Sequence, residues 1–253
     1  MPSTALSHFN QDINRAKNLR VHADSLPIST LKDDIYRASW MISIGALDAY
    51  FCDAFADVLS KILIAKSIDS NVKLSPRIRS LKLPINSIVN AQNTTSNWKW
   101  RNAARDLIEK DNVLSIDKIK DLFNHIMDEK KKILTRSMME DWLINKSAKH
   151  RLMGITPTAY KKLSKDDKEK KRKSMLEKLT NRYTSLIQRR HDCIHNCDRP
   201  KVSLTKISSS DVVKVIEDIE FLITTLDSHI DKNLRRHLLS IGCSKTHVRR
   251  VKA

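Results

Sequence analysis

Glycine is the scarcest structural signal in this chain of 253 residues: there are three, Gly45, Gly154 and Gly242, about a hundred positions apart. Phosphate cradles of the P-loop or dinucleotide type need two or three glycines within a few residues, because only glycine lets the backbone close on a phosphate. Those nucleotide enzymes are excluded. With so few glycines, six prolines and long stretches rich in Leu, Ile, Lys, Asp and Ser, the chain lacks the many tight turns of a β-sandwich or barrel. The expected fold class is all-α. No apolar run reaches the roughly 18 residues that cross a bilayer, and the N-terminus carries Ser, His, Asn and Gln where a signal peptide has an apolar stretch. No membrane association and a cytoplasmic location are expected.

The formal charge of +18 becomes informative once it is located. From Lys130 to Arg190 there are 19 basic and 6 acidic residues, from Lys232 onward 7 basic and none acidic, and the remainder sums to −2. Clustered cations gain free energy by releasing counterions condensed on phosphates, so two basic segments on a neutral background point to nucleic acid as partner. A solvated lysine-rich surface accounts for a single run such as Lys168 to Lys173, but less well for both segments. An anionic membrane is a poorer match, because the basic helices lack a Trp/Phe-rich apolar face.

A period of 3.6 residues predicts helices over Ser3 to Asp24, ending before Pro27, and Thr30 to Ser67. The second carries a seam of mostly small residues, Ile35, Ala38, Ile42, Gly45, Ala49, Cys52, Ala56, Leu59 and Leu63, that would let another helix approach closely. Leu83 to Trp98 is uncharged and rich in Asn, Thr and Ser, with Pro84 at its start, and reads as a polar loop or short irregular turns. Further helices are predicted over Lys99 to Lys110, Ser115 to Leu134 and Thr135 to Lys149, with a break at Gly154 and Pro157. Ser164 with Asp166 and Asp167 caps a helix from about Lys165 to His195, and Ser208 to Ser210 cap a last one with the apolar stripe Val212, Val215, Ile219, Leu222, Leu226 and Ile230. The expected organisation is one helical domain over 1–253, with a basic helical insertion at 73–165.

On the helix ending near His195 the expected core stripe is Leu176, Leu179, Tyr183, Ile187 and Ile194, and Arg190 projects from its middle. A guanidinium there needs a carboxylate such as Asp48 or Asp53, a cavity, or an anionic ligand. Beyond it, Arg189-Arg190-His191-Asp192-Cys193-Ile194-His195-Asn196 marks a helix end, with Asn196 suited to a left-handed cap and Pro200 preventing continuation. On a regular helix Arg190 and His195 diverge by about 140° and cannot address one phosphate. Either the last turn unwinds or two copies meet.

Arg190, a polar residue and then His195, near the end of a long helix that one more amphipathic helix follows, resembles the Arg-x4-6-His motif of HEPN-domain ribonucleases. Ala46-Leu47-Asp48-Ala49-Tyr50-Phe51 is similar to the early HEPN helix, as in the HEPN families of microbial defence and toxin loci. The resemblance covers roughly residues 30 to 67 and 170 to 235. It implies a HEPN-like helical bundle and a metal-independent endoribonuclease, a homodimer whose motifs face each other across a cleft. RNA carries its own nucleophile in the 2′-hydroxyl, so the enzyme must remove that proton, protonate the leaving 5′-oxygen and stabilise the phosphorane. His195 serves as acid or base, Arg190 holds phosphate oxygens, and His191 is the alternative second proton carrier within one chain. Products are a 2′,3′-cyclic phosphate and a 5′-hydroxyl. Asp48 and Asp192 are the supporting groups; Arg189, Asn196 and Lys201 are the RNA contacts. No cofactor is implied, and a regulatory or antitoxin protein is a possible partner. His191, where the family often has Asn, is a mild departure.

Two rivals remain. His191, Cys193, His195 and Cys197 alternate at every second position, a poor zinc spacing because only i and i+4 pairs share a helix face; no metal site is expected. A basic helical protein that binds RNA, DNA or a partner protein without cutting is the alternative to the enzyme.

Overall fold

A computed structural model describes residues 3–89, 96–109, 115–127, 132–144, 150–199 and 203–252. Lys201, Pro200 and the predicted helix end at Lys110 lie outside them; the helix expected over Thr135 to Lys149 is corrected, since it stops at Leu143, where the Ile144 N–H closes on the Glu140 carbonyl. Every regular element among the described residues is an α-helix: α1 Thr4–Ser25, α2 Thr30–Ile68, α3 Pro76–Arg79, α4 Ile85–Val89, α5 Ser96–Glu109, α6 Ile116–Ile126, α7 Arg136–Leu143, α8 His150–Met153, α9 Pro157–Lys161, α10 Lys165–Asn196, α11 Ser209–Ser240 and α12 Lys245–Lys252. None of them is long and apolar enough to cross a membrane.

Local chemistry sets the helix starts. Ser75, Ser115, Thr135, Thr156 and Ser164 sit in extended backbone, each with its hydroxyl accepting the N–H three residues on. Such a cap satisfies a donor that the helix itself leaves open. Ser208 and Asp211 cap α11 reciprocally: the hydroxyl accepts the Asp211 N–H, and the carboxylate accepts the Ser208 N–H.

The chain divides into two compact units, one of residues 7–48 and 134–225, the other of 1–6, 49–133 and 226–253. The segment 73–165 contributes to both. In the first unit, Phe9, Ile13, Tyr36, Trp40, Ile44, Trp142, Tyr160, Leu179, Tyr183 and Ile219 are buried, and Trp142 meets Phe221 edge-on at 5.8 Å. Ser39 bonds the Ala16 carbonyl, joining α2 to α1. In the second unit, Phe123 of α6 packs edge-on against Phe51 and Phe55 of α2. Buried Asp53 receives Arg101 and Arg105 of α5, and Arg101 also binds Asp57. The predicted α11 stripe from Val212 to Ile230 is buried throughout.

Three further expectations are corrected. The small-residue seam of α2 is a core face only in part: Ala56 and Leu59 are fully buried, but Ile35, Ala38, Ile42, Gly45, Ala49, Cys52 and Leu63 are only half-buried, and a Cβ on Gly45 would meet nothing within 4 Å. The helix is apolar nearly all round, and the side bearing Tyr36, Trp40, Tyr50, Phe51 and Phe55 wins because each ring buries far more area than Ala or Gly. The helix expected over Ser115 to Leu134 stops at Ile126, where Asn124 clamps the backbone of Ile133 through both amide atoms. An amide that bonds backbone groups locally competes with helix continuation. The loop expected over Leu83 to Trp98 contains α4 and the start of α5, Pro84 immediately preceding α4 in a helix-starting role.

Candidate functional site at the end of α10

The buried face of α10 is Met175, Leu179, Tyr183 and Leu186, rotated from the expected stripe because apolar residues occupy adjacent positions at 175/176 and 186/187. Leu176 and Ile187 are half-buried and Ile194 is 49% exposed. The stripe ends at Leu186; beyond it Arg189, Arg190, Asp192 and Cys193 are half-buried, and His191, Ile194, His195 and Asn196 are exposed.

Their termination is built with care. Asn196 is the last helical residue, and Cys197, not Asn196, takes the left-handed cap at φ 48°. The Asp198 N–H returns to the Asp192 carbonyl at 3.0 Å, a Schellman-type closure. Asp198 is 1% exposed; its Oδ2 accepts Nε of Arg37 at 2.9 Å and Nη2 of Arg189 at 3.2 Å. Arg37 also donates to the Thr205 carbonyl and to Asp34. Arg189 donates to the Lys206 carbonyl and lies 4.7 Å from the Trp40 ring centre, while Trp40 Nε1 bonds the Leu186 carbonyl. A buried carboxylate between two guanidinium groups, one of them on an aromatic face, makes the end of α10 rigid. Sequence reading did not find Arg37, Trp40 or Asp198. The available signal was Arg37 on the aromatic side of α2, where a cation needs a carboxylate.

Each residue singled out from the sequence has a definite place. Arg190 is half-buried and, among the described residues, has neither a hydrogen-bond nor an ion-pair partner. Its charge acts on Asp48, whose carboxyl burial raises above the ordinary value while Arg190 pulls it back down. Asp48 Oδ1 is buried with no hydrogen-bond partner. Asp53, the other suggested partner for Arg190, is taken by Arg101 and Arg105. His191 and His195 are exposed and stacked, ring centroids 4.2 Å apart and tilted by 43°. Asp192 accepts from Gln188. Asn196 is exposed, its carbonyl accepting the Arg199 N–H. Arg189 is held by the fold through Asp198, Lys206 and Trp40.

The helix does not unwind before Asn196, so Arg190 and His195 of one chain point about 140° apart. Cys193 turns toward Asp198, its thiol pushed up to about 11, chiefly by burial. Among the described residues no three His, Cys, Asp or Glu side chains converge as metal ligands. A cavity of about 360 Å³ in the unit containing α5 and α6, lined by Phe55, Leu107, Leu122 and His125 among others, includes none of these residues.

Comparison with curated proteins gives no match, and none is found among solved structures. A family model does match, over residues 5–232 and therefore across α10 and most of α11. That span includes Arg190 and His195, and the chain belongs to the RiboL-PSP-HEPN family.

Proposed function

We propose that this HEPN protein is a metal-independent endoribonuclease whose working site is shared by two copies of the chain. The single observation that carries the reading is Arg190: a half-buried guanidinium with no hydrogen-bond or ion-pair partner among the described residues, whose charge acts on Asp48, a carboxyl with one buried oxygen that lacks a partner among them too. A half-desolvated cation of this kind is expensive to hold unless an anion completes it. A phosphate does so, and the planar fork of donors suits its oxygens.

Because α10 is regular to its end, one chain cannot bring Arg190 and His195 to the same phosphate. Two chains related by a twofold axis can, Arg190 of one facing His195 of the other. Among the described residues Ala38, Ile42 and Gly45 of α2 are half-buried and Ile194 of α10 is exposed, apolar surface that a second copy could cover. One His195 takes the proton of the ribose 2′-hydroxyl; the freed oxygen attacks phosphorus; the other His195 protonates the departing 5′-oxygen, leaving a 2′,3′-cyclic phosphate and a 5′-hydroxyl. Arg190 stabilises the charge gathered on the phosphorane, and Asp48, which makes no hydrogen bond to Arg190, acts on it through charge alone. His191, on the same face as His195, is the alternative second proton carrier within one chain.

A defence or toxin role, restraint by a regulatory or antitoxin protein and a cytoplasmic location belong to the same reading. The test is incubation of the purified chain with total RNA, with and without EDTA, followed by end-group analysis. Cyclic phosphate ends formed in the presence of EDTA are expected; intact RNA leaves a protein that binds without cutting.

A further inference from the structure

Two stretches far apart in sequence are joined in the unit that contains α12. In residues 66–82, Lys66, Lys73, Arg77, Arg79 and Lys82 are exposed, and the only acid is Asp69. From Lys232 onward there is no acid, and Lys232, Arg235, Arg236, Lys245, Arg249 and Arg250 are exposed. The Lys73 N–H bonds the Ile241 carbonyl at 2.8 Å. Asp69 accepts the Ser244 N–H at 3.0 Å, and one of its oxygens lies 2.9 Å from Nδ1 of His247. Gly242 turns at φ 97°, where a Cβ would come within 2.8 Å of the Asn71 carbonyl oxygen; only glycine permits that approach. Cys243, Val248 and Val251 are buried beneath α12.

The one carboxylate of the two stretches is thereby used as an internal joint, and the cations face outward. Among the described residues none of them pairs with a carboxylate; Lys66 reaches only the Ser70 carbonyl. Fixed like charges repel, and a polyanion relieves the repulsion while releasing its own counterions. The apolar residues of α12 point inward, so it has no face to lay into a membrane interface. The stretch beyond residue 232 also lies outside the family match.

We propose that this surface, formed by residues 66–82, the end of α11 and α12, docks the RNA backbone through its phosphates and contains none of the residues assigned to cleavage. The nuclease reading supplies only the identity of the polyanion; the charge arrangement stands on its own.

The test compares Arg235→Gln/Arg236→Gln/Arg249→Gln/Arg250→Gln with a control of equal charge loss on exposed lysines, Lys161→Gln/Lys165→Gln/Lys170→Gln/Lys173→Gln. Binding is read by fluorescence anisotropy on a single-stranded DNA oligonucleotide, which lacks the 2′-hydroxyl and cannot be cut, and on RNA in EDTA, over a salt series. The arginine variant is expected to bind at least about tenfold more weakly at low salt, with the log–log salt slope reduced by about 2 to 3, and the control to change that slope by less than about 1. Cleavage of a dinucleotide should be unchanged in the arginine variant. Equal losses in both variants, no loss in the arginine variant, or loss of binding to phosphatidylserine vesicles with nucleic-acid binding intact would overturn the proposal. If the wild-type chain cuts nothing while the arginine variant still loses binding, the nuclease reading falls and the docking surface stands.

Discussion

The imidazoles of His191 and His195 lie against each other on the last full turn of α10, their centroids 4.2 Å apart. An i, i+4 pair shares a helix face, so whatever approaches His195 also meets His191, whereas Arg190 addresses another direction. Replacing His195 or Arg190 with Ala should reduce RNA cleavage about a hundredfold or more, the usual worth of a general acid or base, with binding nearly unchanged. His191→Ala should cost about tenfold or less, because the second proton carrier comes from the other chain. Single-turnover rates on one defined RNA check all three, and an equal loss for His191→Ala would place both proton carriers in one chain.

Asp198 should be the most sensitive position at this end of α10. Its removal leaves Arg37 buried and Arg189 half-buried without their shared carboxylate, and breaking such a pair typically costs about 3–5 kcal/mol. Urea unfolding of Asp198→Ala should show a loss of that size, against about 1 kcal/mol or less for Arg190→Ala, which breaks no hydrogen bond or ion pair among the described residues.

Acid should loosen the joint between α2 and α12. The Asp69 carboxyl is held down at about 2, first by His247 and then by the Ser244 N–H. An unfolded aspartate titrates near about 3.9. A carboxyl with the lower value in the folded state contributes stability above the unfolded value and loses it as pH falls through the folded one. Wild type should therefore lose urea resistance between about pH 4 and 2, and Asp69→Asn should start less stable and show a shallower decline over that window.

The thiols distinguish the protein-only site from a zinc one. Cys193 is half-buried with its thiol pushed up to about 11, and Cys243 is buried. Cys197 is exposed. At pH 8 a disulfide reagent should label Cys197 first and Cys193 far more slowly, and EDTA should change neither the labelling rate nor the cleavage. Acceleration of labelling by EDTA would show a metal held there.

The long helices were legible because their ends carry local chemistry: Pro27 after α1, the Ser164 cap of α10, the Ser208 region before α11. The α11 stripe was legible because its other face is polar. On α2, apolar on nearly every side, spacing alone could not tell the seam of small residues from the aromatic face. For the proposed site, Arg190, His191 and His195 stand in one short stretch that the sequence singles out, and Asp48 on its helix. Asp198 with Arg37 could not, since the two stand 161 residues apart and only the fold joins them. The same holds for residues 66–82, whose charge is diluted in the sequence and concentrated by its junction with α12.

Mixing two inactive variants tests the shared site most directly. Arg190→Ala and His195→Ala chains, each without activity, are unfolded together, refolded so that mixed dimers form, and assayed on RNA. If Arg190 of one copy works with His195 of the other, the mixture regains a small but measurable part of wild-type cleavage, because each mixed dimer contains one Arg190 facing one His195, with the adjacent His191 left to carry the second proton. If the wild-type chain is active and the mixture stays as inactive as its parts, the two residues do not act across a dimer and the account is contradicted.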